Sequence, residues 1–209
     1  MSLFDVLMLL LTGLTAAYLV FRFYQEFQSK TPKPKANIFY MVAFLVLLVA
    51  GVLLILLGWG ILPSPWVIVV TTFIPLALSL GLYCEFYEKL SKPYKIFAVI
   101  GLIAIILTRF TDVSHGLQVI TLIIVHSVAG LSIFLIPILT IRDKKAPSGF
   151  IGVTIGGVLI GLGGIALAFL KSGKQFLFFS QDFVMAILAP LLFLMALAYT
   201  WGFMKKIKG

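Results

Sequence analysis

Hydrophobic residues in this chain come in long unbroken runs separated by short polar punctuation, with no strand-like alternation. Seven runs are of spanning length, at residues 3–23, 38–61, 66–84, 94–110, 117–141, 150–170 and 183–203. About 20 apolar residues in a helix cross the hydrocarbon core of a bilayer. Backbone groups in lipid must be satisfied within the segment, so each run predicts an α-helix. The fourth run is the shortest, strictly apolar only from Ile96 to Leu107. The pattern predicts an all-α integral membrane protein. A single bundle of seven transmembrane helices takes up residues 1–209 and leaves no room for a soluble domain.

Composition supports the class. The chain is 62% hydrophobic and 11% charged, with a mean hydropathy of +1.17. Soluble domains are about 45–50% apolar and roughly a quarter charged. The first run carries Asp5 and lacks a basic leader, which favours a retained first helix over a cleaved signal. A lone cysteine, Cys84, cannot form an internal disulfide.

The net charge of +9 reads as membrane orientation and not as nucleic-acid binding. Thirteen of the 16 Lys and Arg residues follow runs one, three, five and seven, and only Arg109, Lys171 and Lys174 fall on the opposite side. Positive residues concentrate in cytoplasmic loops, which predicts an outside N-terminus and a cytoplasmic C-terminus. Tyr24, Trp59, Trp66, Tyr87 and Trp201 near run ends fit headgroup-level anchors. The stretch KSGKQFLFFSQDF, residues 171–183, reads as an outer loop that dips its Phe residues into the interface, or as a short amphipathic segment lying on it.

A parallel 3+1+3 repeat is suggested by AGVLLILLG (50–58) and GGVLIGLGG (156–164), in which Gly51, Val52, Leu53, Leu56 and Gly58 match at a fixed offset. Mid-run prolines, Pro75 and Pro190, add kinks in runs three and seven. Repeats of this kind build transporters. In run six, Gly152 and Gly156, and separately Gly157 and Gly161, have the spacing that lets helix backbones approach closely.

The seven acids lie at run ends or in loops, which argues against a proton-driven pump with a carboxylate in its path. Run seven has no lysine in 183–203 for a retinal Schiff base. No hydrolase, metalloprotease or phosphate-loop motif is present. Glu85 and Glu88 share a helix face, but Lys89 and Lys92 beside them suggest a solvated, charge-balanced edge.

Chemistry therefore concentrates on the two histidines. His126 lies nine residues below Leu117, roughly 13–14 Å into the membrane. His115 leaves the same helix face eleven residues earlier, near the surface, and with Asp112 forms a candidate surface metal pair. Ser114 or Asp112 is positioned to cap the fifth helix.

Ala129 and Gly130, one turn below His126, make a small-residue notch for a neighbouring helix or a flat ligand. The segment VHSVAGLSIFLIPILTIRDKK (125–145) loosely resembles a ligand helix of small haem-binding membrane proteins. That resemblance implies imidazole ligation of a b-type haem. No second histidine lies at its depth, so the other ligand would be Met41, Met185, Met195, a partner's histidine, or none at all. The plainer expectation is a neutral His126 bonded to a hydroxyl or carbonyl of a neighbouring helix.

Two function classes follow. One is a non-catalytic or electron-transfer membrane subunit of a larger, respiratory-type assembly. The other is a small-molecule transporter or channel. The expected partners are the lipid bilayer and either other membrane subunits or a second copy.

Overall fold

A computed structural model describes residues 1–171 and 180–208. Among them are seven helices long and apolar enough to cross a membrane, and no strands. They are α1 (Leu3–Ser29), α2 (Lys35–Leu57), α3 (Pro65–Phe86), α4 (Glu88–Phe110), α5 (His115–Arg142), α6 (Ile151–Lys171) and α7 (Gln181–Lys208). Most of the 171–183 stretch considered above as an amphipathic segment, with Lys174, lies outside the described residues.

The helices outrun their hydrophobic stretches because polar turns continue them. α1 goes on past Phe23 to Ser29 and carries Arg22 and Glu26 on helix. α4 begins at Glu88, so the shortest apolar run sits in a helix of 23 residues. α2 ends earlier than its apolar run. Gly58 adopts a left-handed φ of 72°, followed by a 3-10 turn over Trp59–Ile61.

Local chemistry sets several starts. Ser2 and Asp5 form a reciprocal capping box on α1, with Asp5 N donating to Ser2 Oγ at 3.1 Å and Ser2 N to Asp5 Oδ2 at 2.8 Å. Pro65 occupies the first turn of α3. Ser114 Oγ accepts from Leu117 N at 3.4 Å and caps α5.

Neighbour relations close a ring. α1 packs on α2, α2 on α3, α3 on α5, α5 on α6, α6 on α7 and α7 on α1. α4 packs on α3 and α5. The ring centre is filled by side chains such as Leu19, Phe23, Phe44, Leu82, Ile136, Val153 and Phe203. A second core joins α3, α4 and α5 through Val69, Leu80, Ile105, Val125 and Ala129. The perimeter is apolar, with Leu3, Leu56 and Trp66 at 86%, 72% and 68% exposure. That surface suits lipid and would aggregate in water.

Lipid tails are as apolar as leucine, so helix association in a bilayer depends on close packing. Glycines supply it. A Cβ on Gly152 would lie 2.6 Å from Ala198 O and 2.7 Å from Gly202 N, which makes the α6–α7 seam a backbone-to-backbone contact. Gly156 lies under the Tyr199 ring and Gly157 against Ile133, whereas Gly161 faces open space.

Tyr40 and Phe150 both touch the Phe203 ring, at 4.8 and 5.7 Å between centroids. From that level Gly51 lies eleven residues along α2, but Gly157 only seven along α6. Pro75 is six residues from Gly81, which abuts Tyr40, while Pro190 is thirteen from Phe203. The neighbour order of α1–α2–α3 recurs in α5–α6–α7.

Candidate functional site

His126 lies on α5, partly buried beside the α3–α4–α5 core. Its Nδ1 is 3.1 Å from the carbonyl oxygen of Leu122, one turn back on its own helix. A carbonyl only accepts, so Nδ1 carries the proton and Nε2 keeps a lone pair. The partner is the helix's own backbone, not a hydroxyl or carbonyl on a neighbour as the sequence suggested. Nearby hydroxyls also bond to their own helices: Thr72 of α3 donates to Ile68 O at 2.7 Å and Ser132 of α5 to Val128 O at 2.7 Å.

The two residues of the expected notch part company. Ala129 is fully buried in the core, whereas Gly130 is exposed with nothing near its Cβ position. They are adjacent residues, 100° apart around the helix, so one faces α3 and α4 and the other faces the perimeter. Arg109 lies in the last turn of α4, which packs on α5. Its Nη1 donates to Gln118 Oε1 at 3.3 Å, and among the described residues its buried Nε has no hydrogen-bond partner.

For a haem, this arrangement supplies half a site. A free Nε2 with Nδ1–H held by a carbonyl is the usual state of a ligating histidine. Gly130 leaves room, and the guanidinium offers charge to a carboxylate. Among the described residues, no methionine belongs to the α3–α4–α5 core beside His126. Met195 is buried in the ring core and Met41 flanks it, while Met185 is on α7, which packs on α1 and α6. His115 and Asp112 are both exposed at the start of α5. Among the described residues, no three His, Cys, Asp or Glu side chains gather as a metal site.

A second site emerges where the thirteen-cation side of the chain converges, which we term the basic end. There Lys206 of α7 is only 9% exposed, and its Nζ lies 2.6 Å from Glu85 Oε1 and 3.9 Å from Glu26 Oε2. Lys30 closes on Glu26 Oε1 at 2.5 Å. Asn37 donates through Nδ2 to Glu26 Oε2 at 2.9 Å and to Phe23 O at 3.1 Å. Tyr40 donates to Glu85 Oε2 at 2.7 Å. Two ammoniums, the exposed Lys30 and the largely buried Lys206, therefore balance the buried Glu26 and the partly buried side chain of Glu85.

Aromatic faces frame the cation, with Lys206 Nζ 5.5 Å from the Tyr40 centroid and 5.9 Å from Phe23. Gly81 lets the Tyr40 ring lie flat on α3, since a Cβ there would overlap the ring.

Sequence reading placed Glu85 on a solvated edge with Lys89 and Lys92. The structure pairs it instead with a lysine 121 residues away. Only Asn37, polar at the start of an apolar run, hinted that this end is packed. A third polar cluster, Tyr94 OH with Ser79 Oγ at 2.5 Å and Tyr83 OH with Ser132 Oγ at 3.2 Å, ties α3 to α4 and α5.

No family model, curated protein or solved structure matches the chain.

Proposed function

We propose that this chain is a membrane-embedded subunit of a larger assembly of the electron-transfer kind, with its basic end and C-terminus in the cytoplasm. In this reading His126 contributes one imidazole to a b-type haem completed by a partner subunit. The carrying observation is the Leu122 carbonyl at 3.1 Å from Nδ1, which leaves Nε2 free at a partly buried position. When bound, such a group relays single electrons at membrane depth.

The chain's own residues have separate tasks. Leu122 O fixes the tautomer and ring orientation. Gly130 keeps the perimeter open. Arg109 balances carboxylate charge near the non-basic side. The transporter reading is supported by the shared neighbour order of α1–α2–α3 and α5–α6–α7.

The test is the absorption spectrum of the protein isolated from its native membranes with its partners. A Soret band retained in His115→Ala and lost in His126→Ala is expected. A colourless preparation with partners present refutes the haem. A chain that co-purifies with no other membrane protein refutes the assembly.

A further inference from the structure

The basic end holds a groove of about 570 Å³, lined by Lys30, Lys144, Lys145, Lys206, Glu85 and Ser148 among others. These residues come from α1, α3, α7 and the turn between α5 and α6, so the groove lies over the end of the ring and not on its lipid-facing side. Four ammoniums face one lining carboxylate.

Two of those ammoniums are already committed, Lys206 to Glu85 and Lys30 to Glu26. Among the described residues, Lys144 and Lys145 have no carboxylate partner, and the neighbouring Asp143 is taken by Arg142 at 3.1 Å. Lys145 Nζ stands 5.3 Å from the Tyr87 ring centroid.

The turn that presents these two lysines is unusual. Lys144 has a φ of 56°, at the helix-stop position normally given to glycine. Hydrogen bonds hold it there: Lys144 N to Ile141 O at 3.0 Å, Lys145 N to Thr140 O at 2.8 Å and Ala146 N to Thr140 O at 3.2 Å. The backbone N–H groups are spent on the helix end, so the turn offers side-chain charge and not an amide nest. A lysine kept where its backbone is strained points to a use for its side chain.

We infer that this groove is a binding site for a phosphomonoester group, held by Lys144 and Lys145 against the fixed ammoniums of Lys206 and Lys30. Lysine binds phosphate as a point charge and needs no set approach geometry. Basic pockets at the ends of membrane helices recognise phosphate headgroups by the same chemistry. The group is either free phosphate or the headgroup of an anionic lipid, and the assay separates these sources.

Full-length protein in phosphatidylcholine nanodiscs is titrated with inorganic phosphate against sulfate at matched ionic strength. In parallel, nanodiscs containing phosphatidic acid are compared with phosphatidylcholine alone, reading thermal stability and lipid retained in native mass spectra. At least one of the two phosphate probes is expected to stabilise the protein. Lys144→Gln/Lys145→Gln should weaken that effect at least ~10-fold, because two ammoniums near the bound charge are lost. Lys89→Gln/Lys92→Gln removes equal charge from the same end and should leave it unchanged. A response to inorganic phosphate alone assigns a soluble ligand, and a response to phosphatidic acid alone assigns a headgroup. No response to either, or equal loss in the two double variants, overturns the site.

Discussion

Gly152→Ala isolates what holds α6 against α7. The added Cβ would sit 2.6 Å from Ala198 O, 2.7 Å from Gly202 N and 2.7 Å from Trp201 Cε3. Favourable carbon contacts begin near ~3.5 Å, so the helices must part by about 0.8–0.9 Å. Two of the three atoms are backbone and cannot rotate aside. The reciprocal contact moves with them, because a Cβ on Gly202 would lie 2.7 Å from Val153 N.

Overpacking of this sort costs about 1–3 kcal/mol. The usual helix-propensity gain of alanine offsets little, because membrane helices are formed before they associate. The folded-to-unfolded ratio should therefore fall about 5- to 150-fold. The control is Gly161→Ala in the same helix, where among the described residues nothing lies within reach of the new methyl. It should stay within about 0.5 kcal/mol of the parent. Reversible unfolding in mixed micelles, followed by tryptophan fluorescence, measures both. A Gly152→Ala protein as stable as the parent, or equal losses at both positions, would refute a seam set by backbone approach.

Two other outcomes are expected. Lys206→Met leaves Glu85, 24% exposed, and Glu26, 5% exposed, without their shared cation. The loss should be about 1–3 kcal/mol, below that of a fully isolated buried charge because Lys30 and Asn37 still hold Glu26. Adding Glu85→Gln should restore at least half of it in the same unfolding assay, and simple additivity would show that the pair is not coupled. Topology is checked in a Cys84→Ala background with an impermeant maleimide on intact cells. Cysteines at Ser64 and Asp112 should label and those at Lys33 and Lys145 should not, and the reverse pattern would invert the orientation.

The sequence by itself determined that this is a seven-helix membrane chain. Lipid imposes that outcome, since a long apolar run must be helical and satisfy its own backbone wherever it lies. The grouping of cations at one end was equally legible, because it depends only on the order of runs and loops. The use of glycine in α6 could be anticipated from spacing, but not which glycines. Gly152 and Gly161 look alike in sequence, and only the placement of α7 separates a crowded position from an open one.

The tertiary structure decided how the polar groups are partnered. Hydrophobicity marked where α1 and α3 stop being apolar, yet their helices continue and carry Glu26 and Glu85 inward to a lysine near the other end of the chain. No local pattern encodes that pairing, because it depends on α7 closing the ring against α1. The same geometry divided Ala129 from Gly130. Which residues can lie in a membrane is a property of each segment. Which of them meet depends on how the segments pack, and that arrangement set the partners of Lys206 and Glu85.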